Sequence, residues 1–196
     1  MSEDGLTSEA SRTNKAGRTS ETGRTNETGR TDADEAGRTN EVEALEAHEA
    51  RLVLPRFTYE DAWTLGTLLV GMAREREAPV AIDIRRGPQQ LFHCALPGSS
   101  ADNDAWIDRK RRVVERYGVS SFLVGARFRA KGTTFEASSR LDPDRYAAHG
   151  GSFPVAVEGV GVIGSVTVSG LPQAEDHALV VEALERLLGS YGSAAA

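Results

Sequence analysis

The sequence predicts an α/β domain, two antiparallel hairpins flanked by three or four helices, behind a disordered N-terminal tail. Three observations carry this. Residues 80–96 and 153–168 each hold two short runs with Val, Ile, Leu or Phe at every second position around a Gly-containing turn, the period of a strand with one buried face. Around them lie stretches whose apolar residues fall three and four apart, the period of an amphipathic helix. Residues 1–40 hold almost nothing large and apolar apart from Met1 and Leu6.

That tail cannot bury enough surface to offset the entropy of ordering it, so residues 1–40 are expected to be disordered. Arg-Thr pairs recur at 12, 18, 24, 30 and 38, a period too short for one supersecondary unit per repeat. The repeat reads as a low-complexity expansion or as a flexible interaction or phosphorylation arm. Next, Val42, Leu45 and Leu52 share a face, which predicts a short linker helix over 41–54 that Pro55 stops. The domain proper is expected over 55–190, with 191–196 as a flexible C-terminus.

Inside the domain, Thr58 followed by Glu60 and Asp61 resembles a capping box. The helix it opens runs to about Arg76, with Ala62, Leu65, Leu69, Met72 and Ala73 as its buried stripe and Gly66 as a point of close approach. Val80, Ile82 and Ile84 alternate, Arg86-Gly87-Pro88 turns the chain, and Leu91 to Leu96 returns as the second strand. A further helix puts Trp106, Lys110, Val113 and Tyr117 on one face and ends at Gly118. Phe122 to Lys131 is ambiguous: Phe122, Val124, Ala126, Phe128 and Ala130 alternate as in a strand, while Ser120 and Ser121 look like helix caps. A long connection, 133–146, leads to the second hairpin, turned at Glu158-Gly159, in which Gly161 and Gly164 anticipate close packing by a helix or another subunit. The last helix is expected to start at Pro172 and to bury Val180, Val181, Leu184, Leu187 and Leu188.

Composition excludes several function classes. Of the net charge of −6, a net of −5 lies in residues 1–55, so the remainder is near neutral and sets up no strong field to draw nucleic acid or an anionic membrane. The block Arg109 to Arg112 points around its helix rather than to one side, which reads as a solvated surface. With Cys94 as the one cysteine there is no internal disulfide and no Cys-rich metal cage. The N-terminus has no apolar signal-peptide core and no 18-residue apolar run occurs, so the expected location is cytoplasmic. HExxH, CxxCH, GxSxG and phosphate-loop motifs are all missing, which leaves catalytic residues unassigned.

Two histidines merit testing as ligands. His177 falls in the first turns of the last helix, on its apolar stripe, where the helix N-terminus disfavours an imidazolium; a neutral imidazole suits a metal or haem iron, and suits a buried structural role equally. His149 precedes Gly150-Gly151, which allow close backbone approach to a ligand or simply a turn. His93 reads as a satisfied strand histidine, and its neighbour Cys94 points to the opposite face. Asp83 reads as the partner of an arginine on a helix.

At "NDAWIDRKRRVVERYGVSSF", "YAAHGGSFPV" and "GVIGSVTVSGLPQAEDHALVVEAL" the chain resembles the HbpS/GlcG-like haem-degrading family, in the right order and over about Leu52 to Leu188. The resemblance implies a three-layer α-β-α domain, an antiparallel sheet with helices on both faces, assembled into a homo-oligomer. It also implies a helix over 120–131, against the strand alternation. Haem is the implied cofactor, and haem degradation enters from the family name alone. The polar positions of these blocks, Asn103, Asp104, Arg109, Lys110, His149, Gly150, Gly151, Ser169, Asp176 and His177, are the candidate ligand-binding residues, with His149 and His177 as the candidate metal ligands. The leading expectation is a module that binds haem or another small ligand where the Gly150-Gly151 and Ser169-Gly170 loops meet a neighbouring subunit. The competing one is a non-catalytic oligomeric scaffold or chaperone-associated protein with no small ligand.

Overall fold

The computed structural model describes residues 27–193, with side chains from 36 to 192. In chain order the elements are α1 (Glu27–Arg51), β1 (Val53–Leu54), α2 (Tyr59–Glu75), β2 (Ala81–Arg86), β3 (Gln89–Ala95), α3 (Ala101–Tyr117), α4 (Ser121–Ala130), the short α5 (Phe135–Ser138), β4 (Ser152–Val157), β5 (Gly161–Ser169) and α6 (Gln173–Ser193). One five-stranded sheet runs β1-β4-β5-β2-β3. Its pairs are antiparallel except that β1 joins the edge parallel to β4, Val53 opposite Ala156. The sheet is therefore mixed by two residues, at the point where the chain enters the domain.

Strand alternation gives the sheet two unlike faces. Val80, Ile82, Ile84, Phe153, Val155, Val166 and Val168 point to one side and pack with Leu65, Leu69 and Met72 of α2 and Leu179, Val180 and Leu184 of α6. The other side carries Asp83, Ser152, Ser165, Thr167 and Ser169, all buried. In register, His93, Asp83, Thr167 and Ser152 form one polar row across β3, β2, β5 and β4. The Ser152 and Thr167 hydroxyls bond each other at 2.8 Å, and Asp83 accepts from Arg85 on its own strand at 2.9 Å and from Gln90, rather than from a helix arginine. α3 covers this face with Ile107, Lys110, Val113 and Val114. Helices on both faces make the three-layer α-β-α architecture.

Local signals explain most boundaries. Thr58 Oγ1 accepts from the Asp61 amide at 3.2 Å and Asp61 accepts from the Thr58 amide at 2.7 Å, the reciprocal pair of a capping box. A side chain at Gly66 would occupy the Phe92 ring, so α2 sits directly on β3. Gly118 ends α3 in the left-handed conformation with φ 70°. At Gly164 the close neighbour is the β2 backbone at Arg85, and at Gly161 (φ 94°) nothing in the chain lies within 4 Å; within the chain the strand glycines thus answer to a neighbouring strand and a turn, not to a helix.

Residues 121–130 are helix, as the family resemblance implies and the alternation does not. Ser120 caps it, its Oγ accepting from the Leu123 amide at 3.1 Å. This helix touches α1, α3, α6 and β4, so buried positions occur all round it and the 3.6-residue stripe disappears.

At the termini the boundaries move. The stretch 41–54, expected as one helix, is helical only to Arg51, and Val53–Leu54 are strand. The helix also begins at Glu27, so residues 27–40 of the expected tail are helical, while 1–26 lie outside the described residues. Positions 36–40 are exposed. Such turns bury no apolar surface to mark them in the sequence, and each adds a hydrogen bond to a helix already nucleated where it docks. The docked part sets Leu45 against Leu123 and Ala126 and pairs Glu46 with Arg127 and Glu41 with Arg129. At the other end α6 continues through 191–193, with the Tyr191 hydroxyl donating to the Arg56 carbonyl at 3.2 Å, and 194–196 are outside the described residues. Among the described residues no helix is long and apolar enough to cross a membrane.

Candidate functional site

The loop from Ala147 to Gly151, between α5 and β4, is fixed along its backbone. The Ala147 amide donates to the Arg109 carbonyl at 3.2 Å, Ser121 Oγ donates to the His149 carbonyl, and the Val168 amide donates to the Gly151 carbonyl at 2.8 Å. Lys110 reaches in from α3. Its Nζ donates to the carbonyls of Gly150 (3.0 Å) and Val168 (2.6 Å) and to Asp176 Oδ2 (3.1 Å), which uses all three of its protons. Lys110 is 2% exposed and Asp176 3%. Burial pushes the lysine pKa down and the aspartate pKa up, and each charge pulls the other back towards its ordinary value. Three acceptors at hydrogen-bond distance keep the ammonium charged. Asp176 Oδ1 also accepts from the Leu171 amide at 3.0 Å, so this one ion pair ties α3, β5, the glycine loop and the start of α6 together.

Both loop glycines are required by space. A side chain at Gly150 would overlap the Gln173 carbonyl, and one at Gly151, where φ is 115°, would come within 2.6 Å of Lys110 Nζ.

Beside this knot lies a cavity of about 280 Å³, lined by the first turn of α3 (Asp102, Asn103, Trp106), by Lys110, His149 and Gly150, and by the β5–α6 junction from Ser169 to Asp176. It gathers His149, Gly150, Ser169, Asp176, Asn103 and Lys110 from the candidate set. Gly151 backs the ammonium, and Arg109 lies with its guanidinium carbon 3.9 Å from the Trp106 ring centroid. Arg111 sits between Asp108 and Glu115 and Arg112 turns towards Asp108; with Lys110 buried and the three arginines only partly exposed, the basic block is not the solvated surface expected of it, because α3 lays it against the sheet and the glycine loop. Asp104 is elsewhere, paired with His93 at 2.8 Å. Trp106, Gln173 and Asp102 are lining residues that the candidate set lacks. Trp106 lies four residues before Lys110 on the same helix face, which was the signal for it.

The two histidines part company. The His149 ring stands edge-on to Trp106, centroids 5.3 Å apart, with its Nε2 3.7 Å from Glu136 and its side chain 45% exposed. Burial lowers its pKa, Glu136 opposing, so the imidazole is neutral at pH 7. His177 is 5% exposed and does not line the cavity. Its ring packs against Phe122 (4.9 Å) and Phe153 (5.9 Å), and neither nitrogen has a partner among the described residues. Burial, with a smaller push from His48, lowers its pKa to about 4. The sequence put His177 on the apolar stripe, and the apolar neighbours have claimed it. The expected metal pair of His149 and His177 therefore does not form, and no group of three or more metal-binding side chains occurs among the described residues.

A haem iron requires a neutral imidazole with an accessible nitrogen. His149 meets both conditions and His177 meets only the first. The cavity walls are more polar than apolar, and the volume falls just below the range of about 300–1,000 Å³ typical of enclosed ligand sites. A macrocycle would have its edge in this cavity and its body outside.

The fold is that of a small α-β-α domain, and the sequence family agrees. The chain belongs to the family of haem-degrading HbpS-like proteins, whose profile matches residues 57–185. A UPF0303 protein of Streptomyces avermitilis is 73% identical over 154 residues, 79% of this chain and 94% of that protein. Among solved structures, the Ybr137w protein superposes with a TM-score of 0.71 at 38% identity, over 76% of this chain and 88% of its own. PduOC, crystallised as a haem complex, shares the fold with a TM-score of 0.56 at 16% identity, over 66% of this chain and 93% of its own.

Proposed function

We propose that this protein binds haem at the mouth of the α3–α6 cavity, with His149 as the residue that meets the iron. One observation carries the reading: a half-exposed, neutral imidazole braced edge-on against Trp106 at the rim of a cavity. Family membership and the haem complex of PduOC support the ligand class. The bound group would supply an iron centre that accepts a neutral nitrogen, and the chain's part is to hold that nitrogen in place. Trp106 fixes the ring plane, while the Ser121 bond to the His149 carbonyl and the Lys110 bond to Gly150 fix the backbone on either side. The part of the macrocycle left outside is covered, in this reading, by a second copy of the chain, so binding and homo-oligomerisation go together.

Titrating the protein with hemin tests this. A saturable Soret shift is expected in the wild type and in His177→Leu, and its loss is expected in His149→Ala. The shift should also depend on pH in a definite direction. Because the His149 pKa lies below its ordinary 6.5, affinity should hold steady down to that pH and fall only in more acid solution, as protonation removes the nitrogen lone pair. An unchanged Soret band in His149→Ala would refute the assignment.

The second reading, an oligomeric scaffold without a small ligand, has its own observation. Trp63 is 61% exposed and Tyr59 59% on the outer face of α2, and Val160 and Val162 protrude from the β4–β5 hairpin. A stable oligomer that gives no hemin signal would favour it.

A further inference from the structure

The lining of the cavity differs from an ordinary polar pocket in what its hydrogen-bonding groups have left to offer, and this inference rests on reading that cavity as the ligand site. Its charged pair is spent: Lys110 has three acceptors, and Asp176 has one oxygen on Lys110 and the other on the Leu171 amide. The carboxamide oxygen of Asn103 accepts from the Ser100 amide at 2.7 Å, and that of Gln173 accepts from the Gly150 amide at 3.4 Å. What remains on these two side chains is their NH2 groups. The indole N–H of Trp106 has no hydrogen-bond partner among the described residues. Nor has the hydroxyl of Ser169, which lines the cavity although the residue is only 5% exposed. Gly170, Leu171 and Gln173 bring the start of α6 to the same wall; there the Glu175 and Asp176 amides donate to the Pro172 carbonyl and the Leu171 amide to Asp176, which leaves the amides of Gln173 and Ala174 as first-turn donors, and the helix dipole favours negative charge. Against these donors stand the neutral ring of His149 and the carboxylate of Asp102, which is exposed on the rim and screened by solvent.

The geometry points to a carboxylate subsite at the inner end of this cavity, in which the Ser169 hydroxyl, the free carboxamides of Asn103 and Gln173 and the N-terminus of α6 receive the two oxygens of one carboxylate group. With Lys110 fully engaged, the lining holds no unspent cation, so a singly charged group suits it better than a phosphate dianion. The carboxylate has two sources of the same chemistry, a propionate arm of a porphyrin or a small free carboxylic acid.

Parallel titrations separate these sources and separate this proposal from the haem reading. Hemin, hemin dimethyl ester, and acetate, lactate and malonate are each added to the wild type and to His149→Ala, Ser169→Ala and Gln173→Ala, followed by Soret absorbance for the porphyrins and by thermal unfolding for the acids. If the carboxylate is a propionate, hemin binds at least about tenfold more tightly than its dimethyl ester, as expected for charge-assisted hydrogen bonds. Ser169→Ala then abolishes that difference while leaving the Soret band in place. If it is a free acid, one of the three stabilises the wild type and not Ser169→Ala, and this result stands even when hemin fails to bind and the haem reading falls. Hemin and its ester binding equally through His149, with no effect of any acid, overturns the subsite and leaves the haem reading intact. No binding by any probe overturns both.

Discussion

Lys110→Ala should destabilise the domain by about 3–5 kcal/mol, the cost of stranding one member of a buried ion pair. Asp176 is 3% exposed, and among the described residues Lys110 is the one cation bonded to it. Its removal would leave a buried carboxylate with only backbone amides, those of Leu171 at 3.0 Å and of Gly170, and would leave the Gly150 and Val168 carbonyls without their donor. The double variant Lys110→Met, Asp176→Asn removes both charges while keeping volume, and should recover much of the loss. Urea unfolding followed by circular dichroism measures both. A loss of less than about 1 kcal/mol in the single variant would mean that water reaches the pair and treats it as a surface salt bridge. Since Lys110 also holds the carbonyl next to His149, the alanine variant should lose hemin affinity in proportion.

The second large effect is a pH dependence of stability that belongs to His177. Burial holds its pKa at about 4 in the folded protein against 6.5 for the ordinary side chain. Between those values the unfolded chain binds a proton that the folded chain does not, so stability is full above pH 6.5 and is lost as the pH falls towards 4. At about 1.4 kcal/mol per unit, the whole window is worth about 3 kcal/mol. His48 on α1 adds to the effect, and the rings of Phe122 and Phe153 pack against the imidazole. His177→Leu removes the titration together with two buried nitrogens that have no partner among the described residues. It should be at least as stable as the wild type at pH 7 and clearly more stable at pH 5. Parallel decline of the two proteins with falling pH would show that His177 does not carry the effect.

How far the sequence could be read follows from what each residue contacts. The hairpins were legible because β-branched residues at every second position mark a strand whose other face is polar, and β2, β4 and β5 bury just such a pattern. The start of α2 was legible because Thr58 and Asp61 act on each other across three residues, with nothing tertiary involved. α4 was not, since a helix wedged among four others buries Leu123, Val124, Gly125 and Ala126 in succession and shows no single face. β1 is two residues long and exists only through its pairing with β4. At the cavity, Asn103, Lys110, His149, Ser169 and Asp176 are brought together by crossings between α3, the glycine loop and α6 that no local pattern records. His177 was placed on the right face of its helix, and that placement decided against it. An apolar stripe buries what it carries, here between two phenylalanines.

The unlike faces of the sheet respond differently to temperature. The layer of valine and isoleucine under α2 and α6 is held by water's exclusion, an effect that weakens on cooling. The layer of serine, threonine and aspartate under α3 is held by directional bonds that have no such dependence on solvent entropy. As the protein is chilled, amide exchange should therefore accelerate earlier in α2 and α6 than in α3, so that of the two walls of the cavity the α3 wall is the one that keeps its shape in the cold.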